Sequence, residues 1–166
     1  MKCLVFSDSH GSGENILRAI RMHPDASYAF FLGDGIRDVE GVIPAAPELI
    51  WYAVRGNCDF SPYLNGELVK KTEELVLEGH RIVLTHGDLY GAKYGMSGLV
   101  SLAEERICDI VLYGHTHVPR EDYLSVSGRG VWFFNPGSVG SSFSDSGTFG
   151  ILTLEGDTVL FSHKKF

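Results

Sequence analysis

The sequence is poor in cysteine, in basic residues and in long apolar runs. Its three cysteines, Cys3, Cys58 and Cys108, are odd in number and widely spaced among 166 residues. They suggest neither a disulfide framework nor a paired-cysteine zinc site, and the chain reads as intracellular. Fourteen Lys and Arg stand against 21 Asp and Glu, a formal net charge of −7. That balance removes the long-range attraction used to hold a long nucleic-acid track or an anionic membrane. The first apolar run, Cys3 to Phe6, stops at Ser7 and Asp8. It is too short for a signal peptide or a membrane span, so the expected location is cytoplasmic. No fixed-period repeat, charge block or low-complexity tract is present, and Gly137 to Gly147 is merely rich in Ser and Gly.

What is there suits an ordinary core: 44% of the residues are hydrophobic and 21% charged. At this length we expect a single domain over residues 1–166. Strand-forming runs at Lys2 to Ser7, Tyr28 to Leu32 and Leu49 to Val54 alternate with helical spacing at Asn15 to Met22 and Ile36 to Ile43. This β-α-β-α-β order predicts a parallel sheet. Leu68 to Leu77, the turn Glu78-Gly79 and Ile82 to Leu84 read as an antiparallel pair that begins a second sheet. Met96 to Ile107 reads as a helix and Asp109 to Tyr113 as a strand. The remainder is strand and turn, with hairpin turns at Gly128-Arg129-Gly130 and Glu155-Gly156-Asp157. The fold class expected is α/β: two stacked mixed β-sheets flanked by helices, a four-layer α/β/β/α sandwich.

Metal-binding residue types follow the ends of successive strands: Asp8 and His10, Asp34, Asn57, His86, and His115 with His117. At the tips of parallel strands such residues converge on one edge. Taken singly, each has a plain structural reading. Asp8-x-His10 makes a turn or an N-cap, Asp34 between two glycines is a turn residue, and His86 after an apolar run is a core histidine. His115 and His117 are stronger, because alternate residues of an extended segment face the same way. Jointly, imidazoles and carboxylates without thiolate suit Mn, Fe, Zn, Ni or Co. Seven donors exceed the needs of one ion, so two divalent ions sharing Asp34 account for them better. Bound ions would also supply the local positive charge that an acidic protein needs to work on a small phosphorylated substrate.

The segments SDSHG at 7–11, LGDG at 32–35, RGNCD at 55–59, THGD at 85–88 and YGHTH at 113–117 resemble, in order and spacing, the calcineurin-like metallophosphoesterases. FNPGS at 134–138 is similar to a segment of their small bacterial and archaeal phosphodiesterase branch. The resemblance implies stacked β-sheets with a dinuclear site, Mn being the first expectation. It implies Asp8, His10 and His117 on one ion, Asn57, His86 and His115 on the other, and Asp34 bridging. Asn57, His86 and His115 would also serve catalysis. The implied reaction is hydrolysis of a phosphodiester by a metal-bridging hydroxide, without a protein nucleophile.

The chain departs from the wider family in three places. Cys58 stands where many relatives have a histidine assigned as the leaving-group acid; we read it as a small buried residue, with a proton-donating thiol as the other reading. Asp88 stands where a second histidine is common and reads as a turn residue or a partner of a ligating imidazole. Val139 to Gly147 lacks the proline-arginine pair of many relatives. Tyr90, Lys93 and Tyr94 read as loop residues, and His23, His80, His163 and the strand aromatics as fold residues. Two other functions stay open: a nucleotide phosphomonoesterase, or a noncatalytic protein-interaction scaffold, since the fold also resembles a retromer subunit. No membrane partner is expected, and a homo-oligomer is left open.

Overall fold

Period-two alternation within runs that are apolar throughout marks strands buried on both faces. The computed structural model describes residues 1–140 and 146–166, and such strands lie at its centre. The first three strands are β1 (Lys2–Phe6), β2 (Tyr28–Phe31) and β3 (Ile50–Ala53), joined by α1 (Gly13–Met22) and α2 (Ile36–Val42). They pair in parallel, Cys3 opposite Tyr28 and Tyr28 opposite Ile50, as the β-α-β-α-β pattern predicts. The short ribbon β4 (Tyr63–Leu64) and β5 (Glu67–Leu68) then leads to β6 (Thr72–Leu77) and β7 (His80–Thr85). The antiparallel pair therefore begins at Thr72, and Leu68 belongs to the separate ribbon. After α3 (Ser97–Arg106) come β8 (Ile110–Tyr113), β9 (Arg120–Val126), β10 (Arg129–Asn135), β11 (Thr148–Glu155) and β12 (Thr158–Lys165).

These strands form two five-stranded mixed sheets, β12-β11-β1-β2-β3 and β6-β7-β8-β10-β9. The final hairpin returns to the first sheet, with β11 antiparallel to β1. Burial follows the alternation. Leu4, Phe6, Ala29 and Phe31 face α1 and α2, packing on Ile16, Ile20, Ile36 and Val39. Cys3, Val5, Phe30 and Leu32 face the other way and meet Ile82, Leu84, Ile110, Leu112 and Phe134 of the second sheet. The outer face of that sheet buries Val83, Val111, Tyr113 and Phe133 against Leu99, Leu102 and Ala103 of α3. Three apolar interfaces thus stack four layers, helix, sheet, sheet and helix. Residues 141–145 of the Ser- and Gly-rich segment lie outside the described residues. Among the described residues no helix is long and apolar enough to cross a membrane.

The carboxyl ends of β1, β2 and β3 in one sheet and of β7 and β8 in the other lie at the same end of the sandwich. The single edge of parallel strands anticipated from the sequence is thus two facing edges. Backbone bonds tie adjacent tips: Asp8 N–H donates to Gly33 O (2.9 Å), and Gly114 N–H to His86 O (3.1 Å). Across the sheets, His115 N–H donates to Asp8 Oδ2 (3.0 Å).

Candidate metal centre

The segments that leave these tips turn so sharply that non-glycine residues are held at positive φ. Asp8 (55°), His10 (44°), Asp34 (61°), His115 (68°) and His117 (62°) all take this conformation. Each such residue carries a conformational cost of roughly 1–3 kcal/mol, so a concentration of them at one place needs neighbours that hold it. Space is equally restricted. A methyl group on Gly56 would overlap the Asp34 carboxylate, so glycine is required there by close approach.

All seven residues singled out in the sequence line this one place. Asp8, Asp34 and His86 form its buried floor. His115 is half-buried, while His10, Asn57 and His117 stand exposed at the rim. Asp8, His10 and His117 bring one potential ligand atom each within 4.8 Å of one another, and so do Asp8, Asp34 and His86. Asp8 Oδ1 lies 3.1 Å from His117 Nε2, 3.8 Å from His10 Nε2 and 4.0 Å from His86 Nε2. His86 Nε2 lies 3.2 Å from Asn57 Oδ1, 3.2 Å from His115 Nδ1 and 3.4 Å from Asp34 Oδ2. The carboxylate common to both groups is thus Asp8, whereas Asp34 faces the group containing Asn57, His86 and His115.

The chemistry of these contacts fits a cation. His86 Nδ1 is 2.7 Å from the carbonyl oxygen of Leu32, and a ring nitrogen against a carbonyl must carry the proton. In the neutral ring Nε2 is then a lone pair aimed at electron-rich atoms of Asn57, His115 and Asp34. Asp8 Oδ1 is wholly buried and has no hydrogen-bond partner among the described residues that meets the geometry of one, although His117 Nε2 approaches it to 3.1 Å. A buried acceptor without a donor is costly, and a divalent ion between such groups removes the cost.

The electrostatics agree. Burial would raise the Asp34 pKa, but His86 and the Cys58 N–H, which donates to Oδ1 at 2.7 Å, hold it well below the usual carboxylate range. Burial would lower the His86 pKa, yet hydrogen bonding to Asp34 and the charge of Asp8 push it up. His117 is raised through Asp8 despite partial burial, whereas burial and then His86 lower His115. The floor therefore carries a surplus of negative potential.

Three further groups support this edge, and the sequence reading assigned them no role. Asp59 accepts four backbone N–H groups: Asp34 (2.8 Å) and Gly56 (2.8 Å) at Oδ2, Gly35 (2.9 Å) and Ile36 (3.0 Å) at Oδ1. It thereby clasps the turn after β2 to the turn after β3. Asp38 accepts from Ser9 Oγ and from Gly11 N–H (2.8 Å), holding the segment that carries His10. Asn135, fully buried, donates to Gly114 O (2.8 Å) and Thr116 Oγ1 (3.0 Å), bracing the turn that carries His115 and His117. The available signal was positional: each is a short acidic or amide side chain beside a tight turn, where such residues bind backbone groups.

Cys58 is exposed, which corrects its reading as a buried space-filler. It follows Asn57 outward on the turn, away from either core. Its thiol pKa is raised by desolvation and then by Asp34, Asp59 and Asp8, so the thiol is the resting form. Asp88 does not touch an imidazole of the cluster; it pairs with Lys71 Nζ (2.9 Å), which also donates to Gly56 O (3.1 Å). Two cavities, of about 460 and 440 Å³, open beside the cluster and share His10.

With this geometry in view, likeness to known proteins is informative. Residues 1–157 match the Calcineurin-like phosphoesterase superfamily domain. Probable metallophosphoesterase YsnB of Bacillus subtilis is 32% identical over 158 residues, covering 95% of this chain and 86% of the relative. Phosphodiesterase YfcE of Escherichia coli K12 is 34% identical over 160 residues, covering 84% and 79%. The crystal structure of a predicted phosphoesterase from Streptococcus pneumoniae superposes with a TM-score of 0.78 at 23% identity, covering 99% of this chain and 88% of that one. This last likeness concerns the fold alone.

Proposed function

Because the chain belongs to the calcineurin-like phosphoesterase superfamily, we propose that it is a dinuclear-metal-dependent phosphoesterase whose preferred substrates are small phosphodiesters. The observation that carries this reading is the buried Asp8 Oδ1, without a hydrogen-bond partner among the described residues, facing a group of imidazole and carboxylate side chains. Asp8, His10 and His117 would hold one ion and Asn57, His86 and His115 the other; Asp34, beside His86, keeps the bridging role that the family motif implies, while Asp8, which reaches both donor groups, would stand between the two ions as well. Mn is the first expectation, with Fe, Ni, Zn or Co as competitors. When bound, such ions would supply a lowered pKa for water and neutralisation of charge on phosphoryl oxygens.

The chain's own residues do the rest. The Leu32 carbonyl fixes the His86 tautomer and orientation, so that Nε2 is offered to the site. The lowered pKa of His115 keeps its lone pair available near neutrality. Asn57 at the rim presents an amide N–H₂ able to orient a phosphoryl oxygen and so to favour in-line attack. Water is the nucleophile in this reading. The hydroxyls of Ser7 and Ser9 are fully buried and committed to the carboxylates of Asp8 and Asp38, so neither is presented to an incoming substrate. The preference for diesters is supported by the phosphodiesterase name of a relative at 34% identity.

Metal content, together with turnover of an aryl phosphodiester beside its monoester, tests this reading, with Mn added and with chelator. Two ions per chain and a chelator-sensitive rate, faster on the diester, is the expected result. Faster monoester turnover would replace it with the nucleotide phosphomonoesterase. Bound metal with neither activity would leave the interaction scaffold.

A further inference from the structure

One of the two cavities beside the cluster of candidate ligands exceeds what a phosphoryl group occupies. At about 460 Å³ it falls in the range of pockets that enclose a small organic molecule. It opens on Asp34 and His10 and runs out past Arg37, Cys58, Phe60 and Ser61. Its carboxylates are engaged: Asp34 with Cys58 N–H, Asp38 with Ser9 and Gly11, Asp59 with four N–H groups. Arg37 differs. It takes part in none of the ion pairs among the described residues, and it is the one lysine or arginine among the lining residues.

Phe60 is 94% exposed. Exposure of a single apolar residue is ordinary, but Phe60 lines the same cavity as Arg37, which forms no ion pair among the described residues. An exposed aromatic face stacks flat heteroaromatic rings, and a guanidinium binds phosphate through paired N–H donors. Such a pairing next to a phosphoryl-handling centre matches a small nucleotide diester that carries a second phosphate, of which a nucleoside bisphosphate is the unesterified form. A longer polyanion is disfavoured by the net charge of −7.

Resting on the phosphoesterase reading, we propose that the Arg37–Phe60 cavity is the subsite for the organic part of the substrate, and that it selects small nucleotides: base against Phe60, second phosphate against Arg37. Both residues act in specificity and leave the chemistry to the metal cluster.

Calorimetric titration of the Mn-loaded protein with thymidine 3′,5′-bisphosphate, thymidine 5′-monophosphate and inorganic phosphate tests the subsite without turnover. The bisphosphate should bind about tenfold tighter than the monophosphate, and Arg37→Gln should remove that gain. Phe60→Ala should weaken both nucleotides about tenfold relative to inorganic phosphate. The subsite is overturned if the bisphosphate binds no tighter than inorganic phosphate, or if both variants leave its affinity unchanged. Rates on methyl p-nitrophenyl phosphate and on the p-nitrophenyl ester of thymidine 5′-phosphate, followed in parallel, separate the two readings. Arg37- and Phe60-dependent binding with no turnover of either ester keeps the subsite and removes the esterase. Turnover of the methyl ester without preferential nucleotide binding keeps the esterase and removes the subsite.

Discussion

The two ends of the sandwich use the same backbone conformation for different purposes. At the far end, three hairpin turns reverse β6 into β7, β9 into β10 and β11 into β12. In the first two, a left-handed Glu78 or Ser127 precedes a left-handed Gly79 or Gly128. These turns are exposed, and a methyl group on Gly79 or Gly128 would meet nothing within 4 Å. Left-handed residues are there because a two-residue hairpin between twisted strands asks for them. At the near end the left-handed residues are Asp8, His10, Asp34, His115 and His117. They are held by Asp59, Asp38 and Asn135, whose bonds would serve no purpose in a plain turn. Turn geometry is local at one end and a product of tertiary clasps at the other, which places stored strain where the donors converge.

If that contrast is right, damage at the near end should reach metal binding, and damage at the far end should not. The largest effect is expected from Asp34→Asn: loss of about one bound ion and a fall in turnover of about 10³-fold or more. The fold should be retained, as checked by metal analysis and far-ultraviolet circular dichroism. Full stoichiometry and rate in this variant would remove Asp34 from the site. Asp59→Ala touches no donor but frees four backbone N–H groups. Metal affinity should fall about 10–100-fold and stability by about 3 kcal/mol, read by metal titration and urea unfolding.

The pH dependence gives a third and smaller effect. The His86 pKa is raised on folding, so its contribution is complete below the unfolded value and is lost as pH rises through the folded one. Asp34, lowered on folding, contributes above its unfolded value and loses that contribution only in acid. Chelator-treated protein should therefore melt about 3 °C lower once pH rises past the folded His86 value than it does near pH 6. Mn-loaded protein should show the opposite slope, because metal binding competes with protons for imidazole. Parallel slopes with and without Mn would break the link between His86 and the ion. Smallest of all, Gly79→Ala should cost about 1 kcal/mol through its φ of +84°, with turnover unaffected. A rate loss there would show that the far end is coupled to the cluster after all.

Much of this contrast was legible in the sequence, and for a definite reason. The parallel β-α-β-α-β opening follows from short apolar runs alternating with helical periodicity, both local properties. The seven candidate residues could be grouped because each follows a strand end, and β-α topology sends such ends to a common edge. Cys58 was misread because its short side chain suits either a core or a turn, and only the outward course of the chain past Asn57 separates the two. Asp59 passed unnoticed because its four partners lie as far as 25 residues away, at positions with nothing in the local pattern to advertise a clasp.

The sequence alone therefore determined most of the strand and helix order, the buried faces and the seven candidate residues that come together, since these depend on periodicity and on residue chemistry within a few neighbours. The tertiary structure decided which sheet each late strand joins and which carboxylate touches both donor groups. It also decided that Arg37 and Phe60 share a cavity with Asp34. Those outcomes depend on pairings between distant segments, where packing of two sheets, rather than any local preference, selects the neighbours.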